Sequence, residues 1–148
     1  MGSAAPGDTA DRWLDRAHER FAAEGLRMGA ARATALGVIA RDAICPVCVQ
    51  DLVRAVRRQG GAGSQASVYR VVEQAHRLGL LRRELGPDGG VRYEIVLPDE
   101  GHHHLVDDDS GETVPFVDDD LERALRQAAR RLGVRMTSHD VRIRGVRP

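Results

Sequence analysis

The triplet His102-His103-His104 is the densest concentration of metal-ligating groups in this 148-residue chain. In extended backbone, alternate side chains face opposite ways, so His102 and His104 share one side while His103 faces the other. That spacing suits two imidazoles on one divalent metal and a third on another, and zinc, iron, manganese and nickel all accept imidazole. The same tract also reads as a solvated polar loop. Further ligand types stand at Cys45, Cys48, Glu94, Glu122 and His139, whereas His18 and His76 fall on predicted helices away from them and read as surface residues. Cys45-Pro46-Val47-Cys48 is a single C-x2-C pair, which excludes a four-cysteine zinc site within one chain. A position near a helix N-terminus would favour the Cys45 thiolate through the helix dipole. The pair admits four readings: metal ligand, thiol redox switch, haem contact through the Cys-Pro dipeptide, or two buried small apolar residues. A zinc-dependent hydrolase with Glu94 or Glu122 as base for a bound water is the enzymatic alternative. No H-E-x-x-H, phosphate loop, nucleotide fingerprint or nucleophile elbow accompanies it.

A second chemistry lies in Ser64-Gln65-Ala66-Ser67-Val68-Tyr69-Arg70-Val71-Val72. A helix that enters the major groove needs short or polar residues at its leading end, one reader with an apolar face, and a cation near phosphate. Gln65 and Ser67 can bond to base edges, Tyr69 can pack on a thymine methyl, and Arg70 can pair with a phosphate. Arg82, Arg83 and Arg92, further along, suit the flanking backbone. The bland alternative is an amphipathic helix with solvated arginines. Charge distribution favours the nucleic-acid reading. The 22 basic and 22 acidic side chains cancel, yet residues 26–92 hold 11 Arg against 5 acids and residues 99–148 hold 8 against 11. A basic middle and an acidic end are what one part meeting a polyanion requires. Every basic residue is Arg, which reads as coding bias in a GC-rich genome.

The elements that must carry these groups follow from periodicity. A helix is predicted over Thr9–Glu24 with Trp13, Ala17 and Phe21 on one stripe, and a second over Ala30–Arg41 with Leu36, Ile39 and Ala40 inward. Pro46 fits the first turn of a third helix carrying Leu52, Val53 and Val56 and ending near Gly60-Gly61. Ser64 caps a fourth, over Ala66–Leu78, with Val68, Val71, Val72 and Ala75 at helical spacing. Beyond Gly79 the period changes to that of strands, Leu80–Leu85 and Val91–Leu97, joined by the turn Gly86-Pro87-Asp88-Gly89-Gly90. Helices followed by a hairpin give the order of a winged helix-turn-helix. The polar stretch 98–101 is the expected hinge, and residues 102–148 form a second unit with strands His104–Val106, Thr113–Val117 and Val141–Val146 and a helix Leu121–Leu132. The Asp118–Asp120 run is placed to cap that helix, and Asp107–Asp109 read as solvated. The predicted fold class is α+β: a winged-helix domain over 1–97, then a small α/β dimerisation domain. A unit of about 48 residues has too small a core to stand without a partner subunit or a metal. No apolar run approaches a membrane span, no signal core follows Met1, and two cysteines suit a reducing compartment, so the expected location is cytoplasmic, with no membrane partner.

Several segments together resemble the ferric uptake regulator family of metal-responsive repressors. They are Leu26-Arg27-Met28 to Arg32, Ala66 to Val72, Gly79-Leu80-Leu81, Gly89-Gly90-Val91-Arg92-Tyr93-Glu94, His102-His103-His104-Leu105-Val106, Ser110-Gly111 with Phe116, the helix from Asp119 to Gly133, and Thr137-Ser138-His139 to Gly145. The resemblance covers residues 10–147 and implies a homodimer that binds a palindromic A·T-rich operator in double-stranded DNA. It adds Arg32 to the DNA-contacting set of Gln65, Ser67, Tyr69, Arg70, Arg82 and Arg83. It implies a sensor metal between the domains, held by Glu94, His102, His104 and a residue before the third helix. That last position aligns with Pro46, which cannot ligate, so Cys45 takes the role with a one-residue offset. A thiolate, two imidazoles and a carboxylate favour tetrahedral zinc over iron, manganese or nickel, with haem a lesser alternative. A second site would use His103, Glu122 and His139, with Gly101 where the family has a histidine, and an acidic ligand of the family falls on Pro115. The family's structural Cys-x2-Cys falls on Asp107 and Ser110, so a four-cysteine zinc cannot stabilise this chain. Gly29-Ala30-Ala31-Arg32 replaces the common Thr-Pro-Gln-Arg.

Overall fold

The structure, a computed structural model, describes residues 6–61, 63–97, 103–136 and 139–148, and the chain divides into two compact units, Met1–Val96 and Leu97–Pro148. The elements run α1 (Pro6–Ala23), α2 (Ala30–Asp42), α3 (Val49–Arg58), α4 (Gln65–Arg77), β1 (Leu81–Leu85), β2 (Val91–Ile95), β3 (His103–Asp107), β4 (Thr113–Phe116), α5 (Asp119–Arg131) and β5 (Arg142–Gly145). No helix among the described residues is long and apolar enough to cross a membrane.

The first unit is a winged helix. With few aromatic residues, its core is made of Leu, Val, Ile and Ala from α2, α3 and α4, and α1 inserts Trp13, Ala17 and Phe21 at four-residue spacing, all fully buried. The Trp13 indole N–H donates to the Leu80 carbonyl at 2.9 Å, which fastens α1 to the residue that leads into the wing. Helix α4 opens with a capping box: the Ser64 hydroxyl accepts from the Ser67 N–H and the Ser67 hydroxyl from the Ser64 N–H. It closes with Gly79 at φ +73°, where Leu80 N–H reaches the Ala75 carbonyl at 2.9 Å and Gly79 N–H the His76 carbonyl at 3.0 Å. A Cβ at Gly79 meets no atom within 4 Å, so the cost of Gly79→Ala is backbone strain alone. It is expected to destabilise the protein by about 1–2 kcal/mol in a urea titration. A loss under a few tenths would show that the left-handed turn relaxes freely.

Strands β1 and β2 pair antiparallel, with Leu81 opposite Ile95, Arg82 opposite Glu94 and Arg83 opposite Tyr93. Pro46 does not start α3, which begins at Val49 with Cys48 as N-cap. Instead the linker leaves α2 in a turn and pairs with β2: Val47 N–H donates to the Tyr93 carbonyl at 2.9 Å, Tyr93 N–H to the Val47 carbonyl at 2.8 Å, and Ile95 N–H to the Ala43 carbonyl at 2.8 Å. Pro46 disfavours helical backbone at Cys45, and pairing to the wing supplies the partners that a helix turn would have given.

The second unit is a three-stranded sheet in the order β4-β3-β5, β4 antiparallel and β5 parallel to β3, with α5 between β4 and β5 in the chain. Asp118 caps α5 by accepting from Leu121 N–H at 2.9 Å. The Asp107 carboxylate accepts from the Asp109 N–H at 2.9 Å, and these turn hydrogen bonds, Asp109 first, hold its carboxyl below its usual range. Arg144 pairs with Asp108, and Arg147 reaches Asp107 and Glu112 at 3.6 and 3.7 Å. Ion pairs thus tie the β3–β4 turn to the β5 end where the resemblance would place a cysteine cluster. Its apolar core is slight: among the described residues Val106 is its one buried large apolar side chain, while Val117, Leu132, Val134, Ile143 and Val146 are exposed.

Candidate metal centre and nucleic-acid interface

In the second unit β3, the first turn of α5 and the segment before β5 converge on one point. Glu122 Oε1 lies 2.8 Å from His103 Nε2 and 2.7 Å from His139 Nε2. The ligand atoms of these three residues all fall within 4.8 Å of one another, the one such group of three among the described residues. His103 is fully buried, and neither ring nitrogen has an aligned hydrogen-bond partner, the close Glu122 contact being out of line. A buried imidazole needs a partner for its ring nitrogens, and a metal ion is one that would supply it. Tetrahedral zinc with bonds of about 2.0–2.1 Å spaces its ligand atoms by roughly 3.4 Å, so the two Glu122 contacts would lengthen modestly around such an ion. Phe116 and His139 flank the His103 ring, each with centroids 5.4 Å away. Two imidazoles and a carboxylate are a donor set that fits a divalent metal.

In the first unit Glu94, on β2, is fully buried, with Arg82 Nη2 at 3.1 Å from its Oε1. The linker that pairs with β2 brings Cys45 within the electrostatic reach of Glu94. Burial, and then the charge of Glu94, push the Cys45 thiol up to about 11. This corrects the expectation of a dipole-lowered thiol: Cys45 stands three residues before the α3 N-cap, and desolvation beside a carboxylate disfavours thiolate. A bound cation would offset both by stabilising the thiolate. Cys48, the N-cap itself, donates to Asp51 Oδ2 at 3.2 Å, and neither cysteine is in a disulfide. His104 is fully buried in the second unit, on the face of β3 opposite His103, and His102 lies outside the described residues.

On α4, Gln65 and Arg70 are exposed and Tyr69 is half-buried. The Ser67 hydroxyl is engaged in the cap with Ser64. Arg83 is exposed on β1, whereas Arg82 turns to Glu94 and Arg92 to Asp88 at 3.6 Å. Arg32 works inside the unit: its guanidinium bonds the Arg27 carbonyl and Gln74 Oε1 and lies 5.5 Å over the Phe21 ring. Sequence reasoning passed over one coupling. The Tyr93 hydroxyl donates to Glu73 Oε1 at 3.0 Å, so the wing strand that carries Glu94 is bonded to α4. His76, expected on the surface, is half-buried, with Nδ1 3.1 Å from the Leu81 carbonyl and its ring edge-on to Tyr93. The helical register of Glu73 and His76, three apart, was the available signal, but nothing local names their partner.

A winged helix followed by a small α/β unit with clustered imidazole and carboxylate ligands defines a class, the metal-binding transcription regulators. The model of the ferric uptake regulator family matches residues 23–144, and the chain belongs to that family. It is 31% identical over 121 residues to the ferric uptake regulation protein of Klebsiella pneumoniae, covering 82% of this chain and 77% of that one. Among solved structures it is similar to the ferric uptake regulator of Vibrio cholerae, whose DNA-binding domains are rearranged, at 25% identity and a TM-score of 0.68, covering 88% of this chain and 98% of that chain. It is also similar to a zinc-bound manganese uptake regulator, at 30% identity and a TM-score of 0.61, covering 95% and 99% of the two chains.

Proposed function

We propose that this protein is a homodimeric, metal-responsive repressor that binds a palindromic A·T-rich operator, with a sensor metal held by Cys45, Glu94, His102 and His104. The observation that carries the reading is the setting of Glu94: a fully buried carboxylate on the wing, one residue from a tyrosine hydrogen-bonded to α4. A metal at that carboxylate supplies a fixed double positive charge to which residues of both units can bind. Glu94 and Cys45 would then hold the winged helix, and His102 and His104 the second unit, with residues 98–101 as the hinge between them. The shift in DNA affinity equals the differential affinity of these ligands for the fixed arrangement. His103, Glu122 and His139 would form the second metal site.

Gln65, Tyr69 and Arg70 project from the exposed side of α4 toward a major groove, Ser67 reads bases only by giving up its cap contact, and Arg83 meets phosphate from the wing. Arg32 serves the interface by holding α2 to α4. Support for the dimer comes from the exposed Leu132, Val134, Ile143 and Val146, which a unit with so small a core has reason to cover. Zinc is favoured on ligand chemistry, and the neighbouring proteins include a zinc-bound regulator. Because members of the family are transcription regulators, no enzymatic step is assigned.

The test is a titration of a self-complementary A·T-rich duplex with and without zinc, iron, manganese or nickel, for wild type, His104→Ala and Cys45→Ser. Metal is expected to tighten binding by tenfold or more in wild type and not in His104→Ala. Unchanged metal dependence in His104→Ala would overturn the junction site. Retention in Cys45→Ser with loss in His104→Ala would place the site without the thiolate. Arg70→Ala should weaken binding to all sequences alike, and Tyr69→Ala should relax preference.

A further inference from the structure

Two helices present outward faces of one sign each. On α1 the acids Asp8, Asp11, Asp15 and Glu19 are all exposed, and at 3.6 residues per turn they fall within about a quarter of the helix circumference. The buried Trp13, Ala17 and Phe21 occupy the opposite side. On α5 the exposed Arg123, Arg126 and Arg130 repeat the spacing of Asp8, Asp11 and Asp15, three and then four residues apart, away from the half-buried Leu121, Leu125 and Ala128. Like charges at such spacings on one helix repel each other. Little on the chain relieves them. Arg123 pairs with Asp120 at 2.9 Å, whereas Asp8, Asp11, Asp15, Glu19, Arg126 and Arg130 make no ion pair among the described residues. Two arginines of α1 are turned aside: Arg16 donates to the Val96 carbonyl at 3.4 Å and Arg20 to the Leu78 carbonyl at 3.0 Å.

We propose that the outward face of α5 is a docking surface for the outward face of α1 on another copy of this chain. The acidic and basic strips match in the spacing of their charges and in length, about 10 Å from first to last at 1.5 Å per residue. The 22 basic and 22 acidic side chains cancel, so no net repulsion holds two copies apart. Nucleic acid is the other polyanion that α5 could meet, and the matching acidic strip on α1 is what favours a second copy. The contact is heterologous: each copy that uses its α1 still offers its α5, so the assembly can extend. It needs neither metal nor DNA, and it is separate from the exposed apolar residues Leu132, Val134, Ile143 and Val146. Exposed ion pairs contribute little individually. The contact is therefore weak in dilute solution, and it counts most where copies are already crowded, as when they lie side by side on one duplex.

Charge reversal tests the pairing. Sedimentation velocity is run on the full-length protein at rising concentration, in about 0.01 M and about 1 M salt, between which the Debye length falls from roughly 30 Å to 3 Å. At low salt the wild type should form species heavier than those at high salt, in a share that grows with concentration. Asp11→Arg with Asp15→Arg, or Arg126→Glu with Arg130→Glu, should each weaken that association tenfold or more. An equimolar mixture of the two variants should restore it, because a basic α1 then meets an acidic α5. Arg57→Glu with Arg58→Glu, on the exposed side of α3, makes the same change in net charge and should associate as the wild type does. A wild type that shows no heavier species at low salt would overturn the proposal, as would association that persists in about 1 M salt. So would a mixture that fails to restore it, or an α3 variant as impaired as the α5 variant. Reversal on α5 that lowers DNA affinity and leaves self-association intact would assign the strip to phosphate and end the proposal. A homodimer built on the apolar residues would persist at high salt, so its presence or absence there is read separately from the mixing result.

Discussion

Replacing Glu122 by alanine is expected to remove one zinc per chain and most of the stabilisation that zinc confers. The Oε1 atom of Glu122 stands between two imidazole nitrogens, 2.8 Å from one and 2.7 Å from the other, so its loss takes away a ligand and the group that aims the other two. A site present only in the folded chain adds about 2.7 kcal/mol when free zinc is a hundredfold above its Kd. For a protein of this length that corresponds to a rise in Tm of roughly 5–10 °C, which Glu122→Ala should forfeit. Asp120 provides the control, because it lies in the same first turn of α5, is 86% exposed in its side chain and pairs only with Arg123 among the ion pairs described. Asp120→Ala should keep both the stoichiometry and the shift. Elemental analysis beside thermal unfolding checks both, and an unchanged zinc count in Glu122→Ala would show that the trio is not a metal site.

Trp13→Ala is expected to cost about 3–5 kcal/mol, a large share of the roughly 5–15 kcal/mol typical of a domain. The indole is fully buried, so its removal leaves a large cavity, and its N–H is the partner of the Leu80 carbonyl. Trp13→Phe keeps much of the volume and leaves that carbonyl without its donor, for about 1–3 kcal/mol. Because Leu80 lies between α4 and β1, either substitution should also loosen the wing. Urea unfolding measures the cost. A change under 1 kcal/mol for Trp13→Ala would mean that α1 lies outside the cooperative core.

What could be read in the chain was what is decided within a few residues. The stripe Trp13, Ala17, Phe21 placed α1, the Ser64 cap and Gly79 stop bracketed α4, and the change from helical to alternating spacing after Gly79 announced the hairpin. Each depends on a local period or a local backbone preference, and each element lies within a few residues of its expected place. Asp118 capped its helix for the same reason. The candidate ligands were legible as residue types, and their grouping came from the resemblance to a family and not from spacing.

What tertiary structure alone decided were the choices that a residue makes between distant partners. Pro46 is as well suited to a first helical turn as to a linker, and the backbone of Tyr93, nearly fifty residues away, settled it by pairing with Val47. Once the linker paired with β2, Cys45 came within the electrostatic reach of Glu94, and its thiol moved up to about 11 where the local helix dipole alone would have moved it down. Arg82 and Arg83 are neighbours of identical type, yet one turns to a buried carboxylate and the other to solvent, because alternate residues of a strand face opposite ways and only one side holds Glu94. Glu122 likewise sits on a helix face that the sequence marks only as polar, and the crossover from β4 through α5 to β5 brings it between His103 and His139. Short-range propensity acts through each residue's own dihedrals, whereas burial and charge act through whatever the folded chain puts alongside.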